Sequence, residues 1–265
     1  CKHNITKTLL LLTLLFGLSG CSAQGKVDGL IKAPRLSDAQ AQIQMLLNKH
    51  LSANAVLVCP SKGEFQKSIE YIDLNQDQQD EAIAFFREKG SDFYNNKIGC
   101  LILSEDKQNH WFFKEQLIMD GTSFERVMFR DLNGDGYREI LFFTETEGTT
   151  LRNILVFDGS KGGYELQLNE FGADFIVEDL DMDGICDIIR FHPKGYDLQY
   201  DCSLFQFQQG KWRVADEKML QMQEKFSFVL NPPEKSGDKR WQILIKDCQS
   251  KLEVIHSELI FVGTD

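Results

Sequence analysis

Beyond residue 55 the chain alternates between apolar-rich runs of roughly four to seven residues and polar stretches rich in Gly, Asn and Asp. That rhythm predicts an all-β fold, with short strands ended by turns. Ahead of it, "SDAQAQIQMLLNKHL" (37–51) has a different period: Ile43, Leu46, Leu47, His50 and Leu51 fall on one face at helical spacing. Ser37 with Gln40 makes a capping box, so one short helix is predicted within 37–53. His50 reads there as a helix-face residue, not a ligand.

Three of the polar stretches are versions of one unit: "YIDLNQDQQDEAIAFF" (71–86), "FRDLNGDGYREILFF" (129–143) and "VEDLDMDGICDIIRF" (177–191). Their first Asp residues, at 73, 131 and 179, lie 58 and 48 residues apart. Such intervals suit one four-stranded propeller blade each. Each loop and its strand are followed by two more strands around a turn, as in "NILVFDGSKGGYELQL", giving repeats near 68–118, 124–168 and 174–216. Residues 224–265 keep the strand rhythm without the acidic loop and read as a degenerate fourth unit, or else a β-rich cap or an incomplete blade. The expected architecture is a propeller-like array of about four four-stranded blades, as a closed small propeller or an incomplete ring.

The loops carry oxygen ligands at alternate positions. The second has Asp131, Asn133, Asp135 and Glu139, with Gly136 at the sixth position, where the chain must turn sharply. The third has Asp179, Asp181, Asp183 and Asp187, with Gly184 at the turn. The first has Asp73, Asn75, Asp77 and Glu81, but Gln78 takes the place of the glycine, at a steric cost if φ is positive there. Main-chain carbonyls at the seventh position, of Gln79, Tyr137 and Ile185, complete the predicted ligand sets. Two like charges 4 Å apart repel by roughly 4 kcal/mol at an effective dielectric near 20, so converging carboxylates call for a cation. All-oxygen donors on a flexible loop favour Ca²⁺, two to three ions in all, as structural ions.

An EF-hand shares the first six positions but needs a bidentate Glu at position twelve and flanking helices. Position twelve here is Ala84, Phe142 and Arg190, each within a strand-like run. The pattern Asp-x-Asp/Asn-x-Asp-Gly-x-x-Asp/Glu followed by apolar residues instead resembles the FG-GAP or VCBS repeat of integrin-like β-propellers, over about residues 68–216. The resemblance implies calcium in these loops and blades that display ligand-binding loops.

Charge and the N-terminus narrow the setting. Lys2 and Lys7 precede "LLLLTLLFGL" (9–18), an apolar stretch too short to span a bilayer, and then "LSGC" ending at Cys21. This resembles the lipobox of bacterial lipoprotein signal peptides, which implies a signal in 1–20, cleavage before Cys21, a diacylglycerol on its sulfur, and a polar tether over 21–36. An exported, membrane-anchored protein facing outside the cytoplasm is expected. Losing residues 1–20, which hold two Lys and no acid, takes the net charge from −11 to −13, which opposes binding to nucleic acid. Cys59, Cys100, Cys186, Cys202 and Cys248 form an odd, scattered set without Cys-x-x-Cys spacing. They suit neither a zinc site nor a disulfide scaffold; one or two bridges are compatible with export, and most read as buried small hydrophobes.

No nucleophile elbow, zinc-protease, P-loop or Cys-His signature is present, and the expectation is of a protein that is not an enzyme. Two functions are carried forward: a surface-tethered ligand-binding or adhesion module for protein or carbohydrate, and a structural or assembly component of the envelope. Trp111 and Trp212 would serve sugar stacking if exposed in turns, and inter-blade packing if not.

Overall fold

Central strands that read as nearly unbroken apolar runs can be stable only if both faces of their sheet are covered. The computed structural model, which describes residues 36–90, 96–146, 148–195, 199–221, 227–232, 241–245, 250–255 and 258–263, meets that condition by stacking sheets face to face. The signal segment, Cys21, the tether to residue 35 and Cys248 lie outside the described residues. The compact unit 39–265 is considered by itself.

Among the described residues a helix, α1 (Asp38–His50), is followed by strands only, an all-β fold with one short helix. The first sheet holds β1 (Ala55–Leu57), β2 (Ile69–Ile72), β3 (Glu81–Glu88), β4 (Lys97–Glu105) and β5 (Trp111–Asp120). The second holds β6 (Ser123–Arg130), β7 (Glu139–Glu145), β8 (Arg152–Asp158) and β9 (Glu165–Gly172). The third holds β10 (Asp174–Glu178), β11 (Asp187–Lys194), β12 (Gln199–Gln208) and β13 (Lys211–Gln221). The fourth holds β14 (Phe228–Asn231), β15 (Gln242–Ile245), β16 (Ser250–Ile255) and β17 (Glu258–Gly263). The last three are antiparallel meanders in chain order, the blade architecture that the repeats predict.

The first sheet has five strands where four were expected, because β3 is twice as long as β2. The β2 strand pairs only with Glu81–Ala84, and β1 pairs with Phe86–Glu88, so two short strands share one edge. That composite edge leaves no row of open backbone groups beside β2.

Period-two alternation divides the core into layers. Ile83 and Phe85 face Ile140 and Phe142 of the second sheet, and Leu141 and Phe143 on its other side face Phe175 and Ile188 of the third. Ile189 and Phe191 then meet Ile243, Leu252 and Leu259 of the fourth. The remaining face of the first sheet, with the small Ala82 and Ala84 beside Phe86, receives Ile43 and Leu47 of α1. A closed ring would need that face for its last blade. Among the described residues no core joins the fourth sheet to the first, and of the two expected forms the incomplete ring is the one adopted. His50 stacks on Phe113 with ring centroids 4.1 Å apart, a packing role on the helix face.

Candidate metal centre

Each acidic loop joins an edge strand to the interior strand it pairs with: 73–80 between β2 and β3, 131–138 between β6 and β7, 179–186 between β10 and β11. The ninth residue is therefore the first residue of the interior strand, and Glu81, Glu139 and Asp187 are all buried. Each accepts the N–H of its loop's second residue: Leu74 to Glu81 at 3.1 Å, Leu132 to Glu139 at 2.6 Å, Leu180 to Asp187 at 3.0 Å. The three leucines are core residues, so burial of an apolar side chain fixes where the carboxylate sits.

The rest of each loop winds around its own side chains. Asp73, Asp131 and Asp179 each accept the sixth residue's N–H at 2.9, 2.9 and 3.0 Å. The third residue accepts from the fifth, and the fifth from the seventh, in all three loops. These Asx-turns hold the loop shape. They do not exhaust the donor set, because a carboxylate offers about four lone-pair sites. The winding needs positive φ at the sixth position, at Gln78, Gly136 and Gly184, and also at the fourth, at Gln76, Gly134 and Met182. Only the sixth was foreseen, and the first loop meets both demands with glutamine.

Carboxylate oxygens gather in two of the loops. Those of Asp179, Asp181 and Asp183 lie within 4.8 Å of one another, and so do those of Asp135, Glu139 and Asp158. Among the described residues the first loop forms no such group. Asp158 was not singled out from the sequence. It stands at the end of β8, in the register that Ser104 holds in β4 and Gln206 in β12, and each of the three faces the ninth-position carboxylate of its sheet. Ser104 Oγ lies 3.3 Å from Glu81 and Gln206 Nε2 donates to Asp187 at 2.8 Å, whereas Asp158 brings a second buried carboxylate to Glu139. The readable signal was the polar residue closing "LILS", "LVFD" and "LFQ" in the three repeats.

Unneutralised charge at this depth is costly. Burial pushes the Glu139 carboxyl up to about 8 against the hydrogen bond from Leu132, and the charges of Asp135, Asp158 and Asp131 add to the rise. Burial likewise lifts Asp187 to about 7 despite the hydrogen bond from Gln206. Asp181 is raised by burial and by Asp183. Among the described residues no Lys or Arg pairs with Glu139, Asp158 or Asp187. An all-oxygen donor set with buried, unpaired carboxylates fits a hard divalent cation at the second and third loops.

Neighbouring loops are joined through the main chain. The N–H of Arg138 donates to the carbonyl of Leu74 at 2.8 Å, and the N–H of Cys186 to that of Leu132 at 2.9 Å. Beside the first two loops lies a cleft lined by Asn75, Lys114, Tyr137, Arg138, Ser160 and Tyr164 among others. Trp111 and Trp212 are half-buried, packed against the core beside α1 and against the core between the second and third sheets. Neither forms an exposed stacking platform. Cys100, Cys186 and Cys202 are buried thiols and Cys59 is an exposed one, so among the described residues no disulfide forms. Among them, too, no helix is long and apolar enough to cross a membrane.

No protein-family model matches the chain, and no curated protein does. A solved structure, an exotype rhamnogalacturonan lyase, YesX, is similar over 76% of this chain at 14% identity and a TM-score of 0.38. The chain spans 43% of that protein's length. The expectation that the chain is not an enzyme is corrected to this extent: a solved structure it is similar to is that of a lyase. A likeness at this level assigns no activity, substrate or residue to the chain.

Proposed function

We propose that the chain is a lipid-anchored envelope protein whose FG-GAP/VCBS-type repeats are locked by calcium into a rigid scaffold for binding a partner outside the cytoplasm. The observation that carries this reading is the repetition of one loop geometry three times, with carboxylates gathered around a point in two of them. Asx-turns account for the turn in each loop; they do not account for burying Glu139 beside Asp158, where two carboxylates are both ionised only at a cost that a cation between them would offset. Asp131, Asn133, Asp135, Glu139 and Asp158, with the Tyr137 carbonyl, would hold one ion. Asp179, Asp181, Asp183 and Asp187, with the Ile185 carbonyl, would hold a second. The ion's chemistry here is neutralisation and bracing of the strand connection.

The lipobox-like "LSGC" supports attachment at Cys21. Between protein and carbohydrate as partner, the packed positions of Trp111 and Trp212 favour a protein, which brings the adhesion and assembly readings together. A pull-down from envelope extract with calcium and with chelator, run beside a glycan array, tests this. Calcium-dependent capture of a defined protein is the expected result, and glycan binding with no protein captured contradicts it. Detergent-phase partition that survives Cys21→Ala contradicts the anchor.

A further inference from the structure

We propose that Lys114 is the resident cation of the first acidic loop, so that the protein takes two divalent ions and not three. This rests on the calcium reading above. The outer strand of each of the first three sheets carries a one-residue bulge at the same register. The extra residue is Lys114 in β5, between Phe113 opposite Leu103 and Glu115 opposite Ile102. In β9 it is Gln167, and in β13 it is Ala215. Bulges re-aim a side chain, and this one brings Lys114 Nζ to 3.4 Å from Glu81 Oε1, the oxygen that Ser104 Oγ also approaches. The pair is sheltered: the Glu81 side chain is 5% exposed and that of Lys114 31%. The ammonium also lies 5.9 Å from the centre of the Tyr164 ring, which helps to hold it in place.

Counting charge at the three loops separates them in the same way. The second has four carboxylates, Asp131, Asp135, Glu139 and Asp158; the third has four, Asp179, Asp181, Asp183 and Asp187. At the same ligand positions the first has three, Asp73, Asp77 and Glu81, less the one positive charge of Lys114, with neutral Ser104 in the register of Asp158; Asp80 stands at the eighth position, outside the ligand set, as Arg138 and Cys186 do in the other two loops. Its carboxylate oxygens are also the ones that do not gather, and it carries glutamine at both left-handed positions, φ 60° at Gln76 and 70° at Gln78. A divalent ion entering there would meet a resident positive charge and a smaller negative charge than at the other two loops. A side chain supplied by the sheet itself makes the first blade, the one capped by α1, independent of calcium.

Calorimetric titration of the full chain with calcium tests this on the wild type, on Lys114→Gln, which copies Gln167 of the second sheet, and on Lys114→Arg, which keeps the charge. Two ions, three ions and two ions are expected in that order. Asp135→Ala and Asp183→Ala added to Lys114→Gln should leave one ion, held by the first loop. Three ions in the wild type overturn the proposal while leaving the calcium reading intact, as does a folded Lys114→Gln that stays at two. No ion in either protein overturns both. Should Lys114→Gln need calcium to fold, recovery of the native circular dichroism with three ions bound supports the proposal, and failure to recover overturns it.

Discussion

The N–H of Cys186 and the carbonyl of Leu132 meet at 2.9 Å, tying the eighth residue of the third loop to the second residue of the loop before it. Leu132 also gives its own N–H to Glu139. One peptide segment thus senses the ninth-position carboxylate of its own loop and the backbone of the next. Ion binding at the two loops should be coupled, with a double-mutant interaction of about 0.5–3 kcal/mol between Asp135→Ala and Asp183→Ala. Calcium titration of the single and double variants measures it; strictly additive losses contradict the coupling.

The face of the first sheet that ring closure would use is covered by α1. Leu47 is 2% exposed against Ala84, Phe86 and Leu101, and Leu47→Ala should destabilise by about 2–5 kcal/mol. Denaturant unfolding reads this directly. A change below about 0.5 kcal/mol, the usual range of a surface substitution, would mean that the helix does not cap the array.

Much of this was legible in the sequence, and the reasons are local. Asp131, Asp135 and Glu139 announce themselves because a loop that folds back on its own side chains keeps its ligands within nine residues. The same repeat marked three of the four blades, and strand rhythm alone marked the fourth. Asp158, Ser104, Gln206 and Lys114 were hidden because strand pairing, with a bulge at Lys114, brings them to the loops from far along the chain. The β1 strand escaped notice because its pairing with β3 answers an unfilled edge and not any repeat. The form of the array turned on Ala82 and Ala84, whose small side chains admit a helix where a blade was conceivable.

Backbone strain in the loops can be measured apart from packing. Gly184 has φ +93° with no atom near an added Cβ, so Gly184→Ala should cost about 1–2 kcal/mol from conformation alone. Gln78→Gly, at φ 70°, should gain up to about 1 kcal/mol. Melts in chelator check both, and opposite signs for the two substitutions are the expected pattern.

Glu139 gives a pH dependence with a definite sign. Its folded carboxyl without an ion titrates at about 8, above its ordinary 4.5, so the folded chain binds more protons than the unfolded one between those values. Stability of chelator-treated protein should fall as pH rises through that window, at up to about 1.4 kcal/mol per pH unit for this group. Asp187, lifted to about 7, adds to the fall below that pH. With calcium bound the carboxylates are held ionised, and the slope should flatten or reverse. Paired melts at pH 5 and pH 8, with calcium and with chelator, read the difference.

The central claim is that calcium locks the second and third loops, and the most direct measurement is the thermal melt of the full chain in millimolar calcium against chelator, with Asp135→Ala and Asp183→Ala alongside. An ion that binds only the folded state, present at 100 times its dissociation constant, stabilises by about 2.7 kcal/mol per site. The wild type should therefore melt several degrees higher in calcium, with part of the gain lost in each variant. A melting temperature indifferent to calcium and chelator would contradict it.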